Sequence, residues 1–427
     1  MKNVLFIVYY FPPMGGSGVQ RPLKFAKYLR EFGWNPIILC PEPGAYHTFD
    51  KSLNEELESL DLEIHRVQGN TPLHKAGSKR EIKLPSWLDN FLRKISTFFW
   101  LPDNKKGWIK PAHKKALEII KSGEIDAIFS TANPYSNLQL AKLIKRDTGI
   151  PVLMDLRDEW VESHLLDYPT KWHRNKMAEI EADTLPDADI LTVINEAYKK
   201  SFHSRFNELD IRVLNQGFDP EDFNIDTKKS NDTNKLKLLY SGLFYGKRNP
   251  SLFLKAVRSI LDESPDLSEK LELHFQGGLN LETKNLISTL GLEELVIDHG
   301  YVDHKKAVTN LMKADVLWLM IGHLNNSELV TVGKMFEYFG TKKPILALVP
   351  KGNSRILLDE YNASYYAHPS NIEEITETLK QLIKDFQNSK LPVADSNFVD
   401  KFNRQKIAQE LANLLDELPA KIKAPIG

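Results

Sequence analysis

The chain has 427 residues, enough for two or three domains of ordinary size. Its 42% hydrophobic and 26% charged residues exclude a disordered chain, and a net charge of −1 leaves no global field to draw it to nucleic acid. The single cysteine, Cys40, excludes an intrachain disulfide; at the end of the apolar run Ile37-Ile38-Leu39 it is expected as a buried thiol. No run approaches the roughly 20 apolar residues of a membrane span. The opening MKNVLFIVYYFPP stops at Pro12-Pro13 without a small-residue cleavage site, so it reads as a buried strand rather than a signal peptide. A cytoplasmic protein fits these features.

In chain order, residues 3–10 predict a strand covered on both faces. A Pro/Gly loop (11–18) follows, then a helix near 20–32 with Leu23, Phe25, Ala26 and Leu29 inward. Strands are expected at 36–40, 62–67, 126–130, 151–155 and 190–193, with helices at 111–122, 136–146 and 172–185. After Asp- and Asn-rich punctuation at 219–234 the pattern restarts. Strands at 236–241, 271–275, 295–298, 315–321 and 344–348 alternate with helices at 250–262, 281–290, 304–312 and 331–339. A final helix at 402–417 carries Ile407, Leu411, Leu414 and Leu415 on one face. Strands separated by helices mean right-handed βαβ units and parallel sheets. The expectation is an α/β chain with two Rossmann-like domains, 1–215 and 216–400, and a C-terminal helix and tail, 401–427, packing back on the first. Ligands are expected in a cleft where strand carboxyl ends and helix N-termini converge.

The stretch 322–350 is the most informative. Thr331 is expected to cap a helix, Gly340 to end it and Pro344 to open the next strand. Lys334 and Glu337 share one face of that helix near the positive end of its dipole. A helix N-terminus with a lysine attracts a phosphate, and a carboxylate one turn deeper can accept ribose hydroxyls. The alternative is a solvated i, i+3 ion pair. In YSGLFYGKRNPS (240–251), Gly242 and Gly246 permit tight backbone, and Lys247 and Arg248 precede Asn249-Pro250, an expected N-cap and first helical residue. Two cations there oppose the dipole, a placement that a diphosphate ligand would justify.

In the first half, Gly15, Gly16 and Gly18 allow close approach of a ligand at a helix start, with Arg21 in its first turns. The spacing is not the dinucleotide fingerprint, and a plain tight turn also accounts for the glycines. In MDLRDEW (154–160), Asp155, Arg157, Asp158 and Glu159 crowd a strand end, either to hold an acceptor hydroxyl or to lock the loop by internal ion pairs. STANPYSN (130–137) is another strand-end loop. The twelve histidines show no metal spacing, so no metal is expected. In 83–106, Trp87, Leu88, Phe91, Leu92, Ile95, Phe98 and Phe99 recur at helical spacing beside Arg93, Lys94, Lys105 and Lys106. An amphipathic helix packed on its own domain and a helix lying on an anionic membrane both answer that pattern.

Together these strings resemble GT-B glycosyltransferases of the retaining family 4 type, the glycosyltransferases of bacterial surface polysaccharides. FPPMGGSGVQRPLKFAKYL resembles that family's opening glycine loop. NQGFDPEDF (215–223), YSGLFYGKRNPSLFLKAV, GYVDHKKAVTNLMKADVLWLM and GKMFEYFGTKKPILAL are similar to its linker signature, diphosphate loop, base-binding segment and ribose helix. LPDNKKGW and DLRDEW are similar to strings of one branch.

The resemblance implies a GT-B fold and transfer of a sugar from a nucleoside-diphosphate donor to an acceptor hydroxyl with retention, in polysaccharide or glycolipid biosynthesis. Lys247 and Arg248 would hold the diphosphate and Glu337 the ribose. Backbone at Gly300, Tyr301 and Val302 would meet the base, and Gly15 and Gly16 the phosphate or acceptor. The family pairs two glutamates eight apart; eight before Glu337 is Leu329, and Glu328 stands one residue early. The histidine the family often places in the loop after the fourth strand is missing from STANPYSN. The expected partners are a nucleotide-sugar donor, a saccharide or lipid-linked acceptor and a weak membrane-surface contact at the inner face, with no nucleic acid and no separate cofactor. Two other classes answer the same features: a GT-B-fold sugar-nucleotide epimerase, and a nucleotide-binding scaffold without transferase activity.

Overall fold

A computed structural model describes residues 1–44, 49–69, 96–163, 166, 168–224, 235–244, 249–322 and 327–420. The chain divides into two units, Met1–Gln216 with Arg404–Gly427, and Gly217–Asn403.

In the first unit the apolar runs form strands and the amphipathic stretches between them form helices. The order is β1 (Lys2–Ile7), α1 (Ser17–Tyr28), β2 (Trp34–Pro41), α2 (Lys51–Glu58), β3 (Glu63–Val67), α3 (Ile109–Ser122), β4 (Ala127–Ala132), α4 (Ser136–Thr148), β5 (Val152–Leu156), α5 (Lys171–Thr184), β6 (Ile190–Val193), α6 (Glu196–His203) and β7 (Ile211–Val213). The seven strands pair in parallel in the order β3-β2-β1-β4-β5-β6-β7. The chain's direction across the sheet therefore reverses between β1 and β4, the switch point where ligands of such sheets bind.

The second unit contains β8 (Leu236–Ser241), α7 (Ser251–Glu263), β9 (Leu271–Gln276), α8 (Leu281–Thr289), β10 (Val296–Asp298), α9 (His304–Lys313), β11 (Val316–Met320), α10 (Gly333–Thr341), β12 (Ile345–Leu348), α11 (Asn353–Tyr361), β13 (Ser364–Ala367), α12 (Ile372–Gln387) and α13 (Ser396–Asp400). Its six parallel strands run β10-β9-β8-β11-β12-β13, with the switch between β8 and β11. Burial on both faces follows the two-residue period of a strand. In β11, Val316, Trp318 and Met320 join the core on one side of the sheet, and Leu317 and Leu319 the core on the other. A final helix, α14 (Arg404–Asp416), places Ile407, Leu411, Leu414 and Leu415 in the same core as Val19, Leu23 and Leu29 of the first unit, and Arg404 donates to Gln20 at 3.0 Å.

The sequence pattern located the other elements within a few residues but did not anticipate α2, α6, β7, α11, β13, α12 or α13. Several of these are short or carry few apolar residues, so the hydrophobic period is weak in them. Among the described residues no helix is long and apolar enough to cross a membrane.

A cluster of two buried glutamates and a surface arginine braces the first unit. Arg205 lies 2.8 Å from Glu159 and 3.4 Å from Glu181, and the Val161 N–H donates to Glu181 at 3.3 Å. Burial pushes the Glu181 carboxyl up to about 7, against the pull of Arg205 and the Val161 N–H, and the neighbouring Glu159 pushes it further. The folded chain therefore holds a proton on Glu181 at pH values where the unfolded chain has released it. This contribution to stability is complete below the ordinary carboxylate pKa and falls as pH rises from about 4.5 to about 7, at roughly 1.4 kcal/mol per unit. Thermal midpoints measured across that range should fall more steeply for the wild type than for Glu181→Gln, which stays neutral. Parallel curves would exclude Glu181 as the group responsible.

Candidate active site

In the second unit, three neighbouring strand ends turn through glycine. Gly242, Gly277 and Gly300 follow β8, β9 and β10 with φ of +124°, +119° and +63°. The Gly242 N–H donates to the Gln276 carbonyl at 2.7 Å and the Gly277 N–H to the Gly300 carbonyl at 2.8 Å. A Cβ on Gly277 would sit 2.6 Å from the Gly242 carbonyl oxygen, so side chains are barred by space as well as by φ. Gln276 ties the strand ends to α9: its amide donates to Ser241 Oγ at 2.9 Å and accepts from Asn310 at 3.0 Å. Gly277 escaped the sequence reading, although the Gly277-Gly278 pair directly after an apolar strand was a usable signal.

Facing Gly242 is Lys334, in the first turn of α10. Its buried Nζ lies 4.1 Å from the centre of the Tyr240 ring and 2.9 Å from where a Cβ on Gly242 would be. The helix begins at Gly333 after Val332 with no side-chain cap. Thr331, expected as the cap, instead accepts a hydrogen bond from Asn353 at 2.6 Å. The start of α11 pins this loop further: Ser354 Oγ donates to the Val330 carbonyl at 2.6 Å, and Gly352 is packed so closely that its Cβ would fall 2.4 Å from Glu328 Cα. The ammonium and the helix-terminal N–H groups concentrate positive charge at this end of α10, which suits an anion.

Gly340, expected to end this helix, does not. The helix continues to Thr341, and Lys342 takes the left-handed turn at φ +56°. Gly340 is a packing glycine, where a Cβ would lie 2.7 Å from the Phe218 ring and 2.9 Å from Phe223. Glu337, one turn after Lys334, has its Oε1 4.0 Å from His304 Nδ1, and His304 Nε2 is 2.8 Å from Asp222 Oδ2. Tyr301 is exposed, Val302 is half-buried and Glu328 is exposed in a short turn, Ser327–Leu329. Lys247 and Arg248 lie outside the described residues. The helix after them starts at Ser251, with Asn249 accepting from the Ser251 N–H at 2.8 Å. The structure thus gathers Gly242, Lys334, Glu337 and the 300–304 segment in one unit.

In the first unit, α1 begins after Gly16, which has φ +99° and no side-chain cap; Gly15 precedes it. Its Arg21 turns inward. Arg21 makes a two-bond pair with Asp155 at 2.8 and 3.0 Å and donates to the carbonyls of Leu214 and Asn215. Asp155 is fully buried and also accepts from Thr131 at 2.7 Å and Thr192 at 2.9 Å. Burial alone would raise its carboxyl pKa, but the Arg21 guanidinium and the two hydroxyls outweigh it and hold the group below the usual carboxylate range. Arg157 donates to the carbonyls of Gly18, Ala132 and Asn133, joining the glycine loop to the loop after β4. Asn133 donates to Asp158 at 3.0 Å, Tyr135 stacks on Trp160 at 4.6 Å, and Asp103 accepts from the Ser136 N–H and hydroxyl. Four separate strings therefore meet at the carboxyl ends of β1, β4 and β5. Among the described residues no group of three or more His, Cys, Asp or Glu side chains is placed to hold a metal ion.

Comparison with known proteins follows this geometry. Residues 221–392, most of the second unit, match the family model described as glycosyl transferases group 1. Sucrose-phosphate synthase from Thermosynechococcus elongatus superposes with a TM-score of 0.68 at 12% identity, over 98% of this chain and 99% of that one. Anabaena HepE in complex with UDP-glucose gives 0.63 at 14% identity, over 98% and 100%. WaaG, a glycosyltransferase involved in lipopolysaccharide biosynthesis, gives 0.60 at 12% identity, over 96% and 99%. No curated protein matches the sequence. The chain has the two-Rossmann fold of GT-B glycosyltransferases, and its second unit is similar in sequence to their group 1 domain.

The buried pair is testable. Removing one partner strands the other, which costs about 3–5 kcal/mol. Asp155→Ala should therefore lower stability in a denaturant melt by that order. A loss under 1 kcal/mol would show that the pair is not what holds the loop.

Proposed function

We propose that this chain is a cytoplasmic glycosyltransferase. It takes a nucleoside-diphosphate sugar on its second unit and transfers the sugar to an acceptor hydroxyl with retention of configuration, in polysaccharide or glycolipid synthesis. The observation that carries the reading is Lys334, held against Gly242 at the uncapped start of α10, with Glu337 one turn on. As the glycosidic bond breaks, negative charge grows on the leaving diphosphate. Fixed cations and helix-terminal N–H groups stabilise it without reorganising. Lys334 suits that role, and Lys247 and Arg248 join it on the strength of their sequence positions. Glu337 accepts ribose hydroxyls, the backbone at Gly300–Val302 meets the base, and Glu328 contributes beside the sugar. No metal is needed where cations of this kind supply the charge. The first unit takes the acceptor near Gly15 and Gly16, and Asp155 and Arg157, expected to touch it, act instead by holding the surrounding loops through internal bonds.

The family resemblance implies retention, and the engagement of the nearby carboxylates supports it. Inversion in one step needs a general base at the acceptor hydroxyl. Asp155 is committed to Arg21 and Glu159 to Arg205, which leaves Asp158, an acceptor from Asn133, as the carboxylate to test by Asp158→Asn. The departing phosphate oxygen then takes the proton, and attack comes from the leaving group's own face. Calorimetry with UDP, GDP and ADP tests the donor assignment. Lys334→Ala and Glu337→Ala should each weaken the best-bound nucleotide by roughly 1.5–3 kcal/mol, the range for charged hydrogen bonds. Unchanged affinity in both variants would remove the site from α10.

A lipid-linked acceptor would place the enzyme at the inner face of the membrane. Residues 83–95 of the aromatic stretch lie outside the described residues. Beyond them Phe98, Phe99 and Trp100 are exposed, and Trp172 on α5 is 64% exposed. His173 links the two groups, its ring 4.8 Å from Phe98 and 4.9 Å from Trp172. Aromatics of this kind settle at headgroup depth, and a single patch gives marginal, reversible binding. Sedimentation with anionic vesicles should carry down a fraction that falls with added salt and with Trp172→Ala. A fraction equal to that with neutral vesicles would argue against the contact.

A further inference from the structure

We propose that His304 is a positioning residue for the ribose of the donor, acting through Glu337. The inference rests on the reading of Glu337 as the ribose-binding carboxylate. His304 opens α9, where Asp303 caps the helix by accepting from the Lys306 N–H at 2.8 Å, so its backbone is set by the fold. Its ring faces a carboxylate from each nitrogen: Nε2 lies 2.8 Å from Asp222 Oδ2, and Nδ1 lies 4.0 Å from Glu337 Oε1. All three side chains are largely shielded, at 10%, 19% and 20% exposure for His304, Asp222 and Glu337.

Asp222 is itself anchored. It lies on the turn Pro220–Phe223, capped by Asp219, and Phe218 and Phe223 of the same segment seat on Gly340, three residues after Glu337 on α10. At a helix N-terminus a neutral imidazole gains nothing from the dipole and a protonated one opposes it, so stability of α9 does not select a histidine there. Its position between two carboxylates gives a different reason. A glutamate has three side-chain torsions to order when it binds a hydroxyl pair, and an imidazole fixed by Asp222 restricts Oε1 before the ligand arrives. A carboxylate has about four acceptor positions, so holding one oxygen near the ring does not exhaust it. The segment 217–224 thereby reaches the ribose through His304 without touching it.

The test compares the best-binding of UDP, GDP and ADP with its 2′,3′-dideoxy counterpart by calorimetry. The wild type should prefer the ribose form by roughly 10- to 100-fold, the range for charge-assisted hydrogen bonds. Glu337→Ala should abolish that preference. His304→Ala should lower it by about 3- to 10-fold, the scale of ordering one side chain on binding, while the dideoxy probe binds within about twofold of wild type. Dideoxy binding also reports that the variant is folded. If Glu337→Ala keeps the full preference, the ribose reading fails and this proposal with it. If Glu337→Ala loses the preference and His304→Ala keeps it, the positioning role alone is overturned. Equal weakening of both probes in His304→Ala would assign the residue to the fold and overturn it as well.

Discussion

The close approach of three strand ends in the second unit is the constraint on which its candidate site depends. A parallel sheet brings the carboxyl ends of β8, β9 and β10 together, but ordinary side chains would hold the turns apart. With Gly277 against the Gly242 carbonyl, the turns stack at backbone distance, and the open side of Gly242 admits the Lys334 ammonium. A methyl group at Gly277 would meet the Gly242 main chain, which the sheet cannot move, and one at Gly242 would push the Lys334 ammonium off its place. Tyr240 then supplies an aromatic face under the ammonium, which offsets part of the cost of burying a cation. The lysine that looks like a helix-surface residue in sequence is in this way aimed at a strand end.

The first unit uses its charges differently. Arg21, Asp155, Arg157, Glu159 and Glu181 are internal, Arg205 reaches the two glutamates from the surface, and the loops after β1, β4 and β5 are tied to one another by guanidinium groups donating to carbonyls. Buried ion pairs of this kind contribute little net stability against apolar residues of the same volume, but losing one partner is costly. Their effect is to set the loops in one arrangement. These loops are thus held by hydrogen bonds whose partners are mostly main chain, which leaves side chains such as Ser136 and Asn133 to be placed by distant residues, Asp103 and Asp158.

The glycines serve two different ends. Gly16, Gly242, Gly277 and Gly300 are required for backbone conformation, whereas Gly340 is required for space, because the rings of Phe218 and Phe223 occupy the place of its side chain. That contact seats the segment leading into the second unit on the helix that carries Lys334 and Glu337. It also places Asp222 within reach of His304.

By itself the sequence determined the alternation of strands and helices. Fully buried parallel strands are apolar runs, and the helices between them show the helical period, so β6 and β8 fall on 190–193 and 236–241 as read. It also showed a lysine and a glutamate on one face of a helix start, since i, i+3 spacing is local. Short or half-exposed elements such as α2 and β13 left too little periodicity to read. Strand order, the closure of Arg21 on Asp155 across 134 positions, and the meeting of Asp222, His304 and Glu337 were decided only by the tertiary structure. These depend on contacts between residues far apart in the chain, and no local pattern encodes which partner a buried charge will find.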